Sequence, residues 1–161
     1  LGVFAYSRDT MADINTVIMS ETGSGHAERV SLDVGDIDGE AVAEELSGRN
    51  LPGVYFRPLR YKPYYFRFKD VNCRGAQIVV TDAARFRPVQ AQIHILEVLL
   101  RRYPKQEIFA EDRIGMFDKV MGTDAVRKAL QAGKTADEIV RGWAPEIERF
   151  RRARERYLLY K

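Results

Sequence analysis

Apolar residues along this chain change their spacing several times, and each change predicts an element. At 29–34 the order Arg-Val-Ser-Leu-Asp-Val alternates polar and apolar, the period-two pattern of a strand with one buried face. Short apolar runs at 3–6 and 16–19 predict two more strands, and Thr-Gly-Ser-Gly at 22–25 predicts a loop. From Asp38 the period lengthens. Asp38 can cap a helix over 38–46 that carries Ala41, Val42 and Leu46, and Gly48, Asn50 and Pro52 end it. A strand is predicted at 54–60, a second aromatic run follows Pro63 at 64–68, and 70–72 predicts a turn. Gly-Ala-Gln-Ile-Val-Val-Thr at 75–81 has the composition of a buried strand.

The second half of the chain reads as helical. Pro88 opens a helix to about Tyr103, with Val89, Ile93, Leu96, Leu99, Leu100 and Tyr103 on one predicted face. Residues 108–117 read as a connector of mixed character. Thr123 or Asp124 caps a helix to Gln131, closed by Gly133. Thr135 and Glu138 have the spacing of a capping box, in which each side chain satisfies the other's backbone donor. The helix they begin carries Ile139, Trp143, Ile147, Phe150 and Tyr157, and Pro145 should kink or split it. Strands and helices mix without regular alternation. The predicted class is α+β: a small mixed, partly antiparallel sheet covered by helices. Residues 37–161 are expected to form the domain and residues 1–36 an N-terminal arm with uncertain strands.

Composition narrows the function classes. A length of 161 residues suits one domain with a real core, and 45% hydrophobic with 30% charged residues is ordinary for a globular chain. A net charge of +3 permits an anionic partner without demanding one. Cys73 stands alone, so no disulfide can form within the chain. With only His26 and His94 besides, metal-ligand spacing is missing, and neither metal nor cofactor is expected. No apolar run reaches the roughly 18 residues of a membrane span. The start at Leu1 is what a fragment or processed product would show, and Leu-Gly-Val-Phe-Ala lacks the form of an export signal. The compartment stays open.

Candidate chemistry is thin. Gly23-Ser24-Gly25 is too short for the serine nucleophile elbow, and no phosphate-binding glycine loop is present. Glycoside hydrolysis needs two convergent carboxylates. Glu21, Glu28, Asp33, Asp36, Asp38, Asp82, Asp112 and Asp118 are available, and sequence does not say which converge. Asp82, directly after the best strand, is the best placed, although a turn or cap explains it as well. Seven of the seventeen aromatic residues fall within 54–68, interleaved with Arg57, Arg60, Lys62 and Arg67 and with no acidic residue. Tyr64, Tyr65, Phe66 and Phe68 cannot all be buried on one face, so some ring surface is expected to be exposed. The run 149–156 holds five arginines against Glu155. It reads as the solvated face of an amphipathic helix ahead of a nucleic-acid surface.

Four segments in register carry a resemblance: Leu-Pro-Gly-Val-Tyr-Phe-Arg-Pro at 51–58, Gly-Ala-Gln-Ile-Val-Val-Thr-Asp at 75–82, Met-Phe-Asp-Lys-Val-Met-Gly-Thr-Asp at 116–124 and Arg-Tyr-Leu-Leu-Tyr-Lys at 156–161. Over about 37–161 the chain resembles the C-terminal domain of bacterial NamZ-type exo-β-N-acetylmuramidases, a family first known as a domain of unknown function. The resemblance implies a parent glycosidase that releases terminal N-acetylmuramic acid from peptidoglycan fragments, in the periplasm or secreted. It also implies an N-terminal Rossmann-like domain holding the catalytic carboxylate, with the substrate cleft between the two domains. The chain alone is then expected to be inactive. The family's Ser-Glu-Gly-Arg-Gly-Thr run has its nearest match at Ser20 and Glu21, without the arginine, and the proline and tryptophan of its Gly-Ala-Pro-Trp segment are missing near Gly35.

On this reading the domain walls one side of an amino-sugar cleft. Tyr64, Tyr65 and Arg67 would contact the glycan or its lactyl carboxylate, with Arg57, Asp82, Ser20 and Glu21 as further substrate contacts. The partners expected are a peptidoglycan-derived amino sugar and the N-terminal catalytic domain. Two other classes stay open: a nucleic-acid module using Arg60, Lys62, Arg67 and the arginine-rich helix, and a purely structural interaction domain. Sugar or a neighbouring domain is favoured over nucleic acid.

Overall fold

A capped helix lies on a hairpin, and later helices complete the core. The computed structural model describes residues 16–18, 38–62, 70, 72–106, 108–109, 111 and 114–158. The predicted strands at 3–6 and 29–34, the loop at 22–25 and the aromatic run at 64–68 lie outside the described residues.

Strand β1 spans Thr16–Ile18, β2 Val54–Tyr61 and β3 Cys73–Val80. Their order is β1-β3-β2, and both pairings are antiparallel. β2 and β3 form a hairpin in which Phe56 faces Ile78, Pro58 faces Ala76 and Arg60 faces Arg74. Directly opposed residues put their side chains on the same face of a sheet. That face is the covered one: Phe56, Ala76 and Ile78 are buried. Pro58 has no N–H to give a neighbouring strand, which suits a position whose nitrogen turns away from β3.

Helix α1, Gly39–Gly48, lies across this face. Its start is the predicted one: one Asp38 carboxylate oxygen accepts from the N–H groups of Glu40 and Ala41, each at 3.1 Å. It buries Val42, Ala43 and Leu46, and the Ser47 hydroxyl donates to the Phe56 carbonyl at 2.7 Å. The fit is close at the other end. A Cβ on Gly39 would fall 2.4 Å from the Gly75 carbonyl oxygen, so only glycine lets the first turn rest on β3.

Helix α2, Pro88–Arg102, packs against α1 and against two later helices, α4 (Ala125–Gln131) and α5 (Ala136–Gly142). The predicted face was too narrow. Ala91, His94, Ile95 and Val98 are buried as well, while Val89 is exposed. A helix with neighbours on several sides hides more than one stripe. Phe56, Leu46, Ile93, Ile95, Leu96 and Leu99 are the largest fully buried side chains.

The expected connector at 108–117 differs from the structure, which has helix α3 at Ile114–Met121. Phe117 and Met121, one turn apart, pack against the core, and the Phe117 ring meets Phe109 edge-on with centroids 5.1 Å apart. The predicted capping box is present: Thr135 and Glu138 bond reciprocally at the start of α5. Pro145 does split the last helix. α5 ends at Gly142, and α6, Ala144–Arg154, restarts with the proline in its first turn, where the missing N–H costs nothing. A 3-10 turn, Glu155–Tyr157, follows. α6 buries none of its residues, and Ile147, Phe150, Tyr157 and Leu158 stand exposed.

Candidate functional site

Where α1 begins and the hairpin nears its loop, the backbone leaves a cavity of about 140 Å³. Asp38, Glu40, Pro58, Arg60 and Arg74 line it, with Gly39 and Gly75 among the lining residues. Two forces fix its shape. The Gly39–Gly75 approach brings the helix start onto β3, and the hairpin register sets Arg60 opposite Arg74. An Arg60 guanidinium N–H donates to the Glu40 carboxylate, while Arg74 has no partner among the described residues. The Asp38 carboxylate is occupied with capping, and its own N–H donates to the Tyr103 hydroxyl at 2.8 Å, which ties the cavity to the end of α2.

Just beyond, Lys62 and Asp70 approach to 3.8 Å across the base of the hairpin loop. Tyr64, Tyr65 and Arg67 lie outside the described residues, as do Ser20 and Glu21. Arg57 and Asp82 are described and do not meet. Arg57 alternates onto the opposite face of β2 from Arg60, where its Nε–H donates to the Gln77 side-chain oxygen. Asp82 follows the far end of β3, roughly 25 Å along the strand from Arg74 at about 3.3 Å per residue. There its carboxylate accepts from the N–H groups of Ala84 and Arg85, at 3.0 and 3.3 Å, and closes a turn.

One further candidate carboxylate is described, and it is committed too. Asp118 takes a two-pronged contact from Arg127, 2.9 Å to Nε and 2.6 Å to Nη2, joining α3 to α4. That contact holds the Asp118 carboxyl below its ordinary range. Glu28, Asp33, Asp36 and Asp112 lie outside the described residues. The arginine-rich run is a solvated helical face: Arg149 lies 3.8 Å from Glu146, and Arg151 and Arg152 lie 3.9 and 3.4 Å from Glu148. Pairing of this kind weakens the case for a phosphate-binding strip.

A second charged cluster sits deeper. Arg49 binds both carboxylate oxygens of Glu97, at 2.7 and 3.0 Å, and its Nη1 reaches the Nδ1 of buried His94 at 2.8 Å. Because Arg49 can only donate, His94 accepts at Nδ1 and carries its proton on Nε2, 3.8 Å from Asp137. Glu97 also accepts the Ala136 N–H at the start of α5, and Glu45 gathers Arg49, Arg101 and Arg102. Burial opposes ionisation of Glu97, yet the bonds from Arg49 and Ala136 outweigh it and lower its pKa. Glu45 is lowered in the same way: burial opposes its charge, and Arg102 and Arg101 overcome that. His94 is also lowered, first by burial and then by the Arg49 charge, against a weaker pull from Asp137 and Glu97. The cluster clamps α1, α2 and α5 together and opens onto no cavity among those described.

This sets the sign of a pH effect. Unfolded His94 takes up a proton near its ordinary 6.5 while folded His94 resists it. Its contribution is therefore complete above pH 6.5 and is lost as the pH falls toward the lower folded pKa. Glu97 and Glu45 add a loss in the same direction below about 4.5. Urea midpoints should fall between pH 7 and 5 in the native chain and stay nearly level in His94→Gln, whose amide oxygen can accept from Arg49. A level native profile would contradict the assignment.

Sequence reasoning named Arg60 only as a possible phosphate contact and passed over Arg74 and Glu40. Their conjunction depends on strand register and on the Gly39–Gly75 approach, and neither leaves a local motif.

The model of the family described as exo-β-N-acetylmuramidase NamZ, C-terminal, matches residues 33–160. The peptidoglycan β-N-acetylmuramidase NamZ of Bacillus subtilis (strain 168) is 28% identical over 117 residues, a match covering 73% of this chain and 28% of that protein. A crystal structure of a DUF1343 family protein from Bacteroides fragilis NCTC 9343 superposes with a TM-score of 0.69 at 28% identity, over 78% of this chain and 34% of that one. The chain thus spans about a third or less of the length of these relatives.

Proposed function

We propose, because this chain belongs to the exo-β-N-acetylmuramidase NamZ C-terminal family, that it is the accessory domain of a peptidoglycan-processing glycosidase. It walls one side of an amino-sugar cleft, and a neighbouring N-terminal domain supplies the catalytic carboxylate. Residues 37–161 form the domain and 1–36 an arm. The observation that carries the reading is the family match along nearly the whole domain. Two features support it. The described candidate carboxylates are capping a helix, closing a turn or bound to arginine, which leaves none free as an acid–nucleophile pair. Exposed Ile147, Phe150, Tyr157 and Leu158, together with Met116 and Val120 on α3, offer apolar surface of the kind that another domain covers.

On this reading Tyr64, Tyr65 and Arg67 contact the sugar, with Ser20 and Glu21 as secondary contacts; Arg57, on the opposite face of β2 from Arg60, and Asp82, closing a turn at the far end of β3, are not brought to one place. The purified chain should bind a peptidoglycan fragment ending in N-acetylmuramic acid without cleaving it. Tyr64→Ala and Tyr65→Ala should each weaken binding roughly tenfold, within the scale of about 1–3 kcal/mol known for an aromatic ring stacked on a nucleobase. Release of the terminal sugar by the chain alone would defeat the accessory role. Binding that collapses as salt is raised would favour a phosphate ligand instead.

A further inference from the structure

The Arg60–Arg74 pair has a physical problem that the described residues leave unsolved. Like charges directly opposite on a sheet repel. Pro58 makes the repulsion sharper. With its nitrogen turned away from β3, the Pro58–Ala76 pair is of the non-hydrogen-bonded kind, and alternation gives Arg60–Arg74 the same geometry, in which opposed side chains lie closest. Glu40 neutralises Arg60 alone. That ion pair is exposed on both sides, 66% at Arg60 and 62% at Glu40, so it is held weakly and is easily exchanged. Arg74 has no counter-ion among the described residues, yet it lines the same cavity.

We infer that this cavity is a carboxylate-binding site, in which the ligand's carboxylate bridges Arg60 and Arg74 and displaces Glu40. The chemistry fits in three ways. Guanidinium forks match carboxylates with paired, charge-assisted hydrogen bonds. Glu40 already places one carboxylate on Arg60, so it acts as an internal stand-in for the ligand. A cavity of about 140 Å³ has room for a carboxylate with a small substituent, since about 150 Å³ holds a benzene-sized molecule, and the rest of a larger ligand would lie outside it. The inference does not need the sugar-cleft reading, although a carboxylate-bearing sugar would satisfy both.

The test follows the side-chain Nε–H signals of Arg60 and Arg74 by NMR while acetate, N-acetylmuramic acid or N-acetylglucosamine is added to the intact chain at low and constant ionic strength. The first two carry a carboxylate and the third does not. Saturable shifts at both arginines with both carboxylates, and none with N-acetylglucosamine, are expected. Arg74→Gln should weaken carboxylate binding roughly tenfold to a hundredfold, the size of one lost charge-assisted contact. It should not lower the melting temperature, because it removes a repulsion. Glu40→Gln, which removes the internal competitor, should tighten binding severalfold. Unsaturable shifts, or Arg74→Gln binding as well as the native chain, overturn the inference. If N-acetylglucosamine binds equally well with both arginine signals unmoved, the inference fails and the sugar-cleft reading stands. If acetate binds and neither sugar does, the inference stands and that reading fails.

Discussion

Gly53→Ala is expected to cost about 3–5 kcal/mol of folding stability. Two costs add. Gly53 has φ of +73°, the left-handed region that an L side chain enters at about 1–2 kcal/mol. Its added Cβ would also lie 2.3 Å from the Asp82 carbonyl oxygen and 2.7 Å from the Phe86 nitrogen, both backbone atoms that cannot swing aside. The site has little room to relax. The Gly53 carbonyl accepts from the N–H groups of Thr81 and Asp82, at 2.9 and 3.2 Å, so moving it detaches the entry of β2 from the exit of β3. Gly48→Ala is the control: its Cβ would meet nothing within 4 Å, and the helical position should gain about 0.5–1 kcal/mol. Urea denaturation of both variants checks the pair. A Gly53→Ala loss below about 1 kcal/mol would mean that the turn gives way more easily than its hydrogen bonds imply.

The second large effect belongs to Arg49. Removing one member of a buried ion pair typically costs about 3–5 kcal/mol, because the remaining charge is stranded. Arg49 and Glu97 keep 20% and 16% of their side-chain surface exposed, which tempers the figure to about 2–4 kcal/mol for Arg49→Leu. The variant leaves Glu97 with only the Ala136 N–H and removes the donor to His94. A double-mutant cycle separates the stranded charge from lost packing. Arg49→Leu combined with Glu97→Leu should be less damaging than the two single losses added together. Strict additivity would show that the two side chains act independently, against the two-pronged contact described here.

How legible the fold was in the sequence depended on range. Asp38, the Thr135–Glu138 box and Pro145 announce helix ends through contacts within four residues, and all three do so in the structure. The 75–81 strand was visible because its apolar run needs no partner to be recognised. α3 was legible in its spacing, since Ile114, Phe117 and Met121 fall three and four residues apart, but Met116 and Val120 spread the apolar positions beyond one face and blurred the stripe. The breadth of burial on α2 was hidden for a different reason: His94 is polar in every pattern and becomes core only through Arg49, forty-five positions away. The candidate site divides in the same way. Aromatic crowding drew attention to 64–68, which lies outside the described residues. The Arg60–Arg74 pair comes from register, which no local pattern encodes.

Pro58 has a meaning beyond the arginines. β2 is the outer strand of the described sheet, and an outer strand presents unpaired backbone groups to any other extended chain. A proline with its nitrogen turned outward removes one donor from the middle of that row, and Arg57 and Arg60 set charge on either side of it. An aromatic-rich strand of this kind would otherwise be a template for edge-to-edge growth. Pro58 therefore also makes this edge a poorer template for pairing with a second extended chain.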